Sequence, residues 1–206
     1  MTTRRPSPMR GEKPTREDLA RFATDNPDAI DDVISDTEDL RLLIVGVNPG
    51  LWTAAVNAPF AHPGNRFWPG LFHAGLTGHR IDTSRGLSAA DEDHLHRAGI
   101  GITNLVGRAS VRADELTREE LRAGAAVLIT RLPELRPRVV AVAGITAFRT
   151  AFELPKAMLG KQDTTLITGW PAGLPLWVVP QPSGLNAHET IDTLAQKWRA
   201  VWEDVD

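Results

Sequence analysis

The chain has 206 residues, 42% of them hydrophobic, which suits one ordinary domain with a full core. Its 23 Lys and Arg against 26 Asp and Glu leave a net charge of -3, a balance that does not advertise nucleic-acid binding but leaves room for a local basic face. The absence of cysteine excludes disulfides, thiolate zinc sites and cysteine-ligated iron–sulfur clusters. No apolar run is long enough to span a membrane, and the N-terminus has no apolar core of a secretory signal, so a cytoplasmic protein is the expectation.

Residues 1–16 carry Arg4, Arg5, Arg10, Lys13 and Arg16 among Pro and Thr, without periodicity, and read as a flexible basic arm before a single domain over 17–206. Thr15-Arg16-Glu17-Asp18 has the pattern of a helix start, and Asn26-Pro27 should break that helix. Arg41–Val47 predicts a buried strand, and Phe67–Leu76 has apolar residues at helical spacing. Ser88 opens a helix that Gly99 stops; Ile100–Val106 is the second strand. Thr117-Arg118-Glu119-Glu120 resembles a capping box ahead of a helix reaching about Leu132. Val139–Ala143 is the third strand, turned by Gly144 into a helix through Ala151. Thr164–Thr168 is a candidate edge strand, Leu176–Val179 the fourth core strand, and a last helix runs from about His188 to Trp202. Strands alternate with helices, and several strands are continuous β-branched runs, so the fold class is α/β with a parallel sheet covered on both faces.

Neither a dinucleotide-binding glycine pattern nor a Walker sequence comes after the first strand, and no nucleophile elbow is present. His94 and His96, the only close histidine pair, point to different faces of a helix and make a poor metal site. Two loops stand out. Gly46-Val47-Asn48-Pro49-Gly50 ends the first strand and presents Asn48 at the carboxyl edge, where ligands sit in open parallel sheets. Pro180-Gln181-Pro182-Ser183-Gly184 ends the fourth. Between them lies Pro59-Phe60-Ala61-His62-Pro63-Gly64-Asn65-Arg66-Phe67-Trp68, a rigid Pro-bounded segment. An amide beside a stacking ring suits recognition of a flat heterocycle. Each residue also has a plain structural reading: Asn48 as a turn cap, Phe60 and Leu185 as core, Asn65 and Arg66 as structural or phosphate-adjacent.

Together with Ile100-Gly101-Ile102-Thr103-Asn104-Leu105-Val106 and Pro182-Ser183-Gly184-Leu185, these blocks occur in the order and spacing of the mismatch-specific uracil/thymine DNA glycosylases, which the chain resembles over about residues 40–202. The resemblance implies the uracil-DNA glycosylase fold, a three-layer α/β/α arrangement around a mostly parallel sheet of four or five strands. It implies a cofactor-free and metal-free monomer that flips uracil or a related mispaired base out of double-stranded DNA and hydrolyses its bond to deoxyribose. Asn48 would position the attacking water, Phe60 would stack on the flipped base, and backbone near Gly46, Val47 and Phe60 would bond the base edge. Gly184 and Leu185 would enter the duplex as a wedge, with Gln181, Ser183 and Asn186 in the same DNA-facing loop.

Bacterial members usually have Asn where this chain has Gln181 and Arg where it has Ala187, which weakens reading of the orphaned guanine unless Asn186 or His188 substitutes. A neutral amide can orient water but cannot take its proton, so a carboxylate in the pocket would help. Asp91-Glu92-Asp93 begins the helix before the second strand, at the same sheet edge as Asn48, and Asp93 is the candidate; the plain reading is acids favoured at a helix start. Two rival functions stay open at this level: a catalytically weak reader of damaged DNA, and an unrelated small-molecule enzyme on an α/β sheet.

Overall fold

The computed structural model describes residues 4–36 and 39–205. Strands β1 (Leu42–Gly46), β2 (Ile100–Asn104), β3 (Val139–Ala143), β4 (Gly160–Lys161) and β5 (Leu176–Val179) form one sheet in the order β2-β1-β3-β5-β4. All pairings are parallel except that of β4 with β5. β1 is fully buried along its length, as a strand covered on both faces must be. Leu43, Val45, Val140 and Val142 face α5 (Arg118–Leu135) and α6 (Ile145–Ala151), where Leu128, Leu132 and Phe148 meet them. Leu42, Ile44, Ile102 and Ala141 face α3 (Phe67–Ala74), α4 (Ala89–Ala98) and α7 (Ile191–Glu203), through Phe67, Leu95 and Trp198. The three-layer α/β architecture expected from the sequence is therefore present.

Three local readings change. The edge strand is Gly160–Lys161, while Thr164–Leu166 is a 3₁₀ turn. There the Asp163 carboxylate accepts the Thr165 N–H at 3.0 Å, a local bond that competes with ladder formation. Directly after the Asn48 loop the chain forms a short helix, α2 (Leu51–Val56), where the sequence suggests only loop. The last helix begins after Thr190, whose hydroxyl accepts the Thr193 N–H, rather than near His188.

The basic stretch expected as a free arm lies on the domain instead. The Arg5 guanidinium pairs with Asp31 at 2.6 Å, and Asn57 Nδ2 donates to the Arg5 carbonyl at 2.7 Å. Arg4 donates to the carbonyl of Asn57 and sits 3.5 Å from Glu92. Pro14 is buried, and α1 (Arg16–Ala20) comes next, against α2. Thr15 caps this helix as its sequence pattern suggests, and Asp18 returns the bond to complete a capping box. Further along, a Cβ at Gly107 would overlap the Pro27 carbonyl, so this glycine lets the N-terminal segment lie directly on the loop after β2.

Candidate active site

The carboxyl ends of β1 and β2 and the loop after β5 enclose a cavity of about 680 Å³. Gly46 and Asn104 are register partners at the ends of β1 and β2. A Cβ at Gly46 would overlap the Oδ1 of Asn104 and come within 3.4 Å of the Phe60 ring. Glycine here lets a second amide and an aromatic ring close over the end of β1. Pairing continues past the strands: Leu105 N–H donates to Gly46 O at 2.9 Å and Val106 N–H to Val47 O at 3.0 Å. The carbonyls of Gly46 and Val47 are thereby engaged, and the buried Val47 side chain contributes wall.

Asn48 is held by its amide nitrogen. Nδ2 donates to Ser110 Oγ at 2.8 Å and lies 3.2 Å from the carbonyls of Pro49 and Arg108. Ser110 Oγ donates its own hydrogen to the Arg112 carbonyl at 2.7 Å, so toward Asn48 it can only accept. These partners fix which end of the amide is which. Among the described residues nothing donates to Oδ1, which is left as a free acceptor in the cavity wall. Behind this contact, Arg108 forks onto Glu120, with its Nη2 3.0 Å from Oε2, and donates to Glu115 O at 3.0 Å. The hydrogen bond from Arg108, helped by the Thr117 N–H, brings the Glu120 carboxyl down to about 2 and keeps it an anion.

Phe60 has φ 53°, a left-handed conformation that aromatic residues rarely adopt. Its ring stacks on Phe67 at 3.8 Å between centroids and 22° between planes, and the remainder of the ring lines the cavity. Phe67 is in turn clamped edge-on by Trp68 and Trp198, so the plate has a rigid backing. Asn65, just ahead of α3, accepts the Phe67 N–H on its Oδ1 at 2.9 Å. His62, against Trp52 at 5.6 Å, completes this side.

On the cavity rim, in the loop that adjoins Gly64 and Arg66, Leu185 is 94% exposed. Its loop is internally bonded: Ser183 Oγ accepts the Leu185 N–H at 3.2 Å, and Asn186 Nδ2 donates to Gln181 O at 3.1 Å. Asn186 Oδ1 accepts the His188 N–H, so each end of the Asn186 amide holds one bond within the loop. A Cβ at Gly184 would overlap the Gly64 carbonyl.

The structure thus brings Val47, Asn48, Phe60, Gln181, Ser183, Gly184 and Leu185 around one cavity, with Gly46 behind its wall, beneath Asn104 and the Phe60 ring. It does not bring Asp93. That carboxylate is exposed on α4, whose Leu95 points into the core, and neither it nor any other acid lines the cavity among the described residues. Asp91 accepts from Ser88 Oγ at 2.6 Å and pairs with His79, as an acid at a helix start should. Asn104, Ser110 and Leu19 also line the cavity, with no role assigned to them from sequence. Asn104 carries a signal of the same kind as Asn48, a polar amide closing an apolar strand; Ser110 and Leu19 carry none.

Two amides at adjacent strand ends, one with a free acceptor, and an aromatic plate equip an α/β protein to hold a flat, hydrogen-bonding heterocycle. The sequence profile of the uracil DNA glycosylase superfamily matches residues 34–206, and the chain belongs to that superfamily. Membership makes it a DNA glycosylase, a hydrolase of base excision repair that works on DNA.

Proposed function

We propose that the protein excises uracil, and related mispaired bases, from double-stranded DNA and leaves an abasic site. The observation that carries this reading is the orientation of Asn48, whose amide nitrogen is fully occupied and whose Oδ1 faces the cavity. In that orientation Oδ1 accepts a hydrogen from water and aims the water's lone pair. The Asn104 amide supplies a donor and an acceptor for the base edge, and Phe60 supplies the stacking face. The bond from C1′ to the base nitrogen breaks with its electron pair leaving on the base, whose anion is hydrogen-bonded in the pocket. Water adds to the cationic sugar at C1′ and releases its proton to solvent.

With no carboxylate in the cavity among the described residues, the step lacks a general base worth about 10²–10⁴ in rate. The chemistry is dissociative and slow, and substrate choice rests on how readily a base leaves the stack. The wedge loop has Ala187 where the resemblance expects arginine, and the Asn186 amide is turned into the loop by a bond at each end. Discrimination by the opposite base is accordingly weak in this reading. Single-turnover excision from strands with uracil opposite guanine, opposite adenine and unpaired tests it. Excision that tracks pair stability supports the reading; binding to these duplexes without excision would mark a catalytically weak reader of damaged DNA instead.

A further inference from the structure

The wedge residue Leu185 poses a physical problem. It is 94% exposed at the tip of a loop rich in Gly and Pro, and such a loop gains by folding its apolar tip away from water. Arg66 opposes that. Its Nη1 donates to the carbonyl of Asn186 at 2.8 Å and also to that of Glu189, while Nη2 donates to the carbonyl of Gly184 at 3.0 Å. Its backbone N–H donates to Pro182 O at 2.8 Å. One residue therefore grips the loop at four points on both sides of Leu185. The next residue, Phe67, is the backing of the Phe60 plate at 3.8 Å, and the preceding one, Asn65, lines the cavity. The far end of the loop is pinned as well: the buried Glu189 carboxylate takes Lys197 at 2.8 Å and the Thr193 hydroxyl at 2.7 Å.

We propose that Arg66 is a positioning residue that holds the wedge erect before DNA arrives and locks it in register with the base-stacking plate. A guanidinium suits this because its planar fork serves several carbonyls at fixed angles, which a single ammonium cannot do. With three of its five side-chain donors given to loop carbonyls, Arg66 acts through Leu185. Ordering cost at the wedge is met in folding and does not reduce binding or flipping. The proposal rests on the reading of the cavity as a pocket for a flipped base.

The test uses a duplex with 2-aminopurine beside uracil, whose fluorescence reports base flipping, together with single-turnover excision. Arg66→Ala and Arg66→Lys should each cut the flipping amplitude and the excision rate roughly tenfold, the scale of a lost coupled contact. In a Leu185→Ala background, Arg66→Ala should add less than about twofold, because the wedge it holds is gone. A merely structural role would not give that loss of effect. Full rescue by Lys would mean that the charge alone matters and would overturn the proposal, as would independent, multiplying effects of the two alanine changes. If the wild-type protein neither flips nor excises, the functional reading fails first. If it does both and the Arg66 variants match it, only the positioning role fails.

Discussion

Gly46 and Asn104 cannot both carry side chains in this structure: a Cβ on Gly46 would occupy the place of the Asn104 Oδ1. The two are register partners at the ends of β1 and β2, so the strand pairing itself delivers the second amide to the pocket. Gly46→Ala should push Asn104 aside while leaving the sheet paired. A displacement of about 1 Å at a positioning group can cost about 10²-fold in rate. Single-turnover excision should fall by at least about tenfold with only a few degrees lost in melting temperature, and unchanged excision would remove Asn104 from base recognition.

Asn48→Ala should abolish most excision and leave affinity for uracil-containing duplex nearly intact, because the change removes the water acceptor and not the wedge. Ser110→Ala should give an intermediate loss, since Nδ2 keeps the carbonyls of Pro49 and Arg108 but loses its closest partner at 2.8 Å. Rates at saturating enzyme, beside gel-shift affinities, separate the two effects. A Ser110→Ala rate equal to wild type would show that the two carbonyls suffice to orient the amide.

Asp93→Asn should excise at the wild-type rate. The carboxylate is exposed on the solvent face of α4 and outside the cavity, so it has no route to a water on Asn48. A rate loss of about 10²-fold or more, the size of general base catalysis, would contradict the placement of α4 relative to the site.

The frame of the site was legible because β1, β3 and β5 are short apolar runs ending at Gly- and Pro-rich turns, and a covered parallel sheet writes that pattern directly into sequence. Asn48 and Phe60 stood out as a polar and an aromatic residue in Gly- and Pro-rich loops, whereas Leu185 was marked only by the family resemblance. Asp93 misled because spacing alone gives the end of the sheet at which a helix begins and not which side of it faces the pocket. The carbonyl grip of Arg66 was illegible for a different reason: its partners lie 118 to 123 residues away and are backbone atoms, which no side-chain pattern records. The short α2 was hidden because six residues carry too little periodicity to separate a helix from a loop.

Glu120 links acid stability to the site. Its carboxyl is lowered from 4.5 to about 2, chiefly by Arg108. A group depressed on folding contributes stability above its unfolded value and loses it as pH falls toward the folded one. Wild-type stability should therefore decline between about pH 4.5 and 2 partly through Glu120. Glu120→Gln should be less stable than wild type at pH 7, by about 1 kcal/mol for a partly exposed pair. The gap should narrow at pH 3. Urea midpoints at both values check this, and a gap that widened in acid would reverse the sign of the linkage. Excision by the variant should also drop, because the Arg108 carbonyl that Asn48 uses is no longer anchored.

A disordered basic arm could be removed at no cost to the fold, but the N-terminal segment of this protein is bonded to the domain. Arg5 pairs with Asp31 and donates to the Asp28 carbonyl at 2.8 Å, while Asn57, the left-handed residue that ends α2, accepts the Asp31 N–H at 2.8 Å and donates to Arg5 O. The segment thus fastens the far end of the helix that begins just after Asn48. Further along it, Leu19 of α1 lines the cavity. Deleting residues 1–16 should strip these bonds, leave Asp31 without its cation and loosen α2 beneath the site. The expected outcome is a melting temperature lower by several degrees, consistent with losing about 1–3 kcal/mol for a small domain. Excision should slow even at low salt, where added cations would matter most to DNA affinity. Replacing only Arg10 and Arg16, whose guanidinium groups hold none of these contacts, with Gln separates the roles: it should weaken DNA binding in a salt-dependent way without moving the melting temperature. A truncated protein that melts and excises as the full chain does would show that the contacts of Arg4 and Arg5 contribute nothing to the folded site.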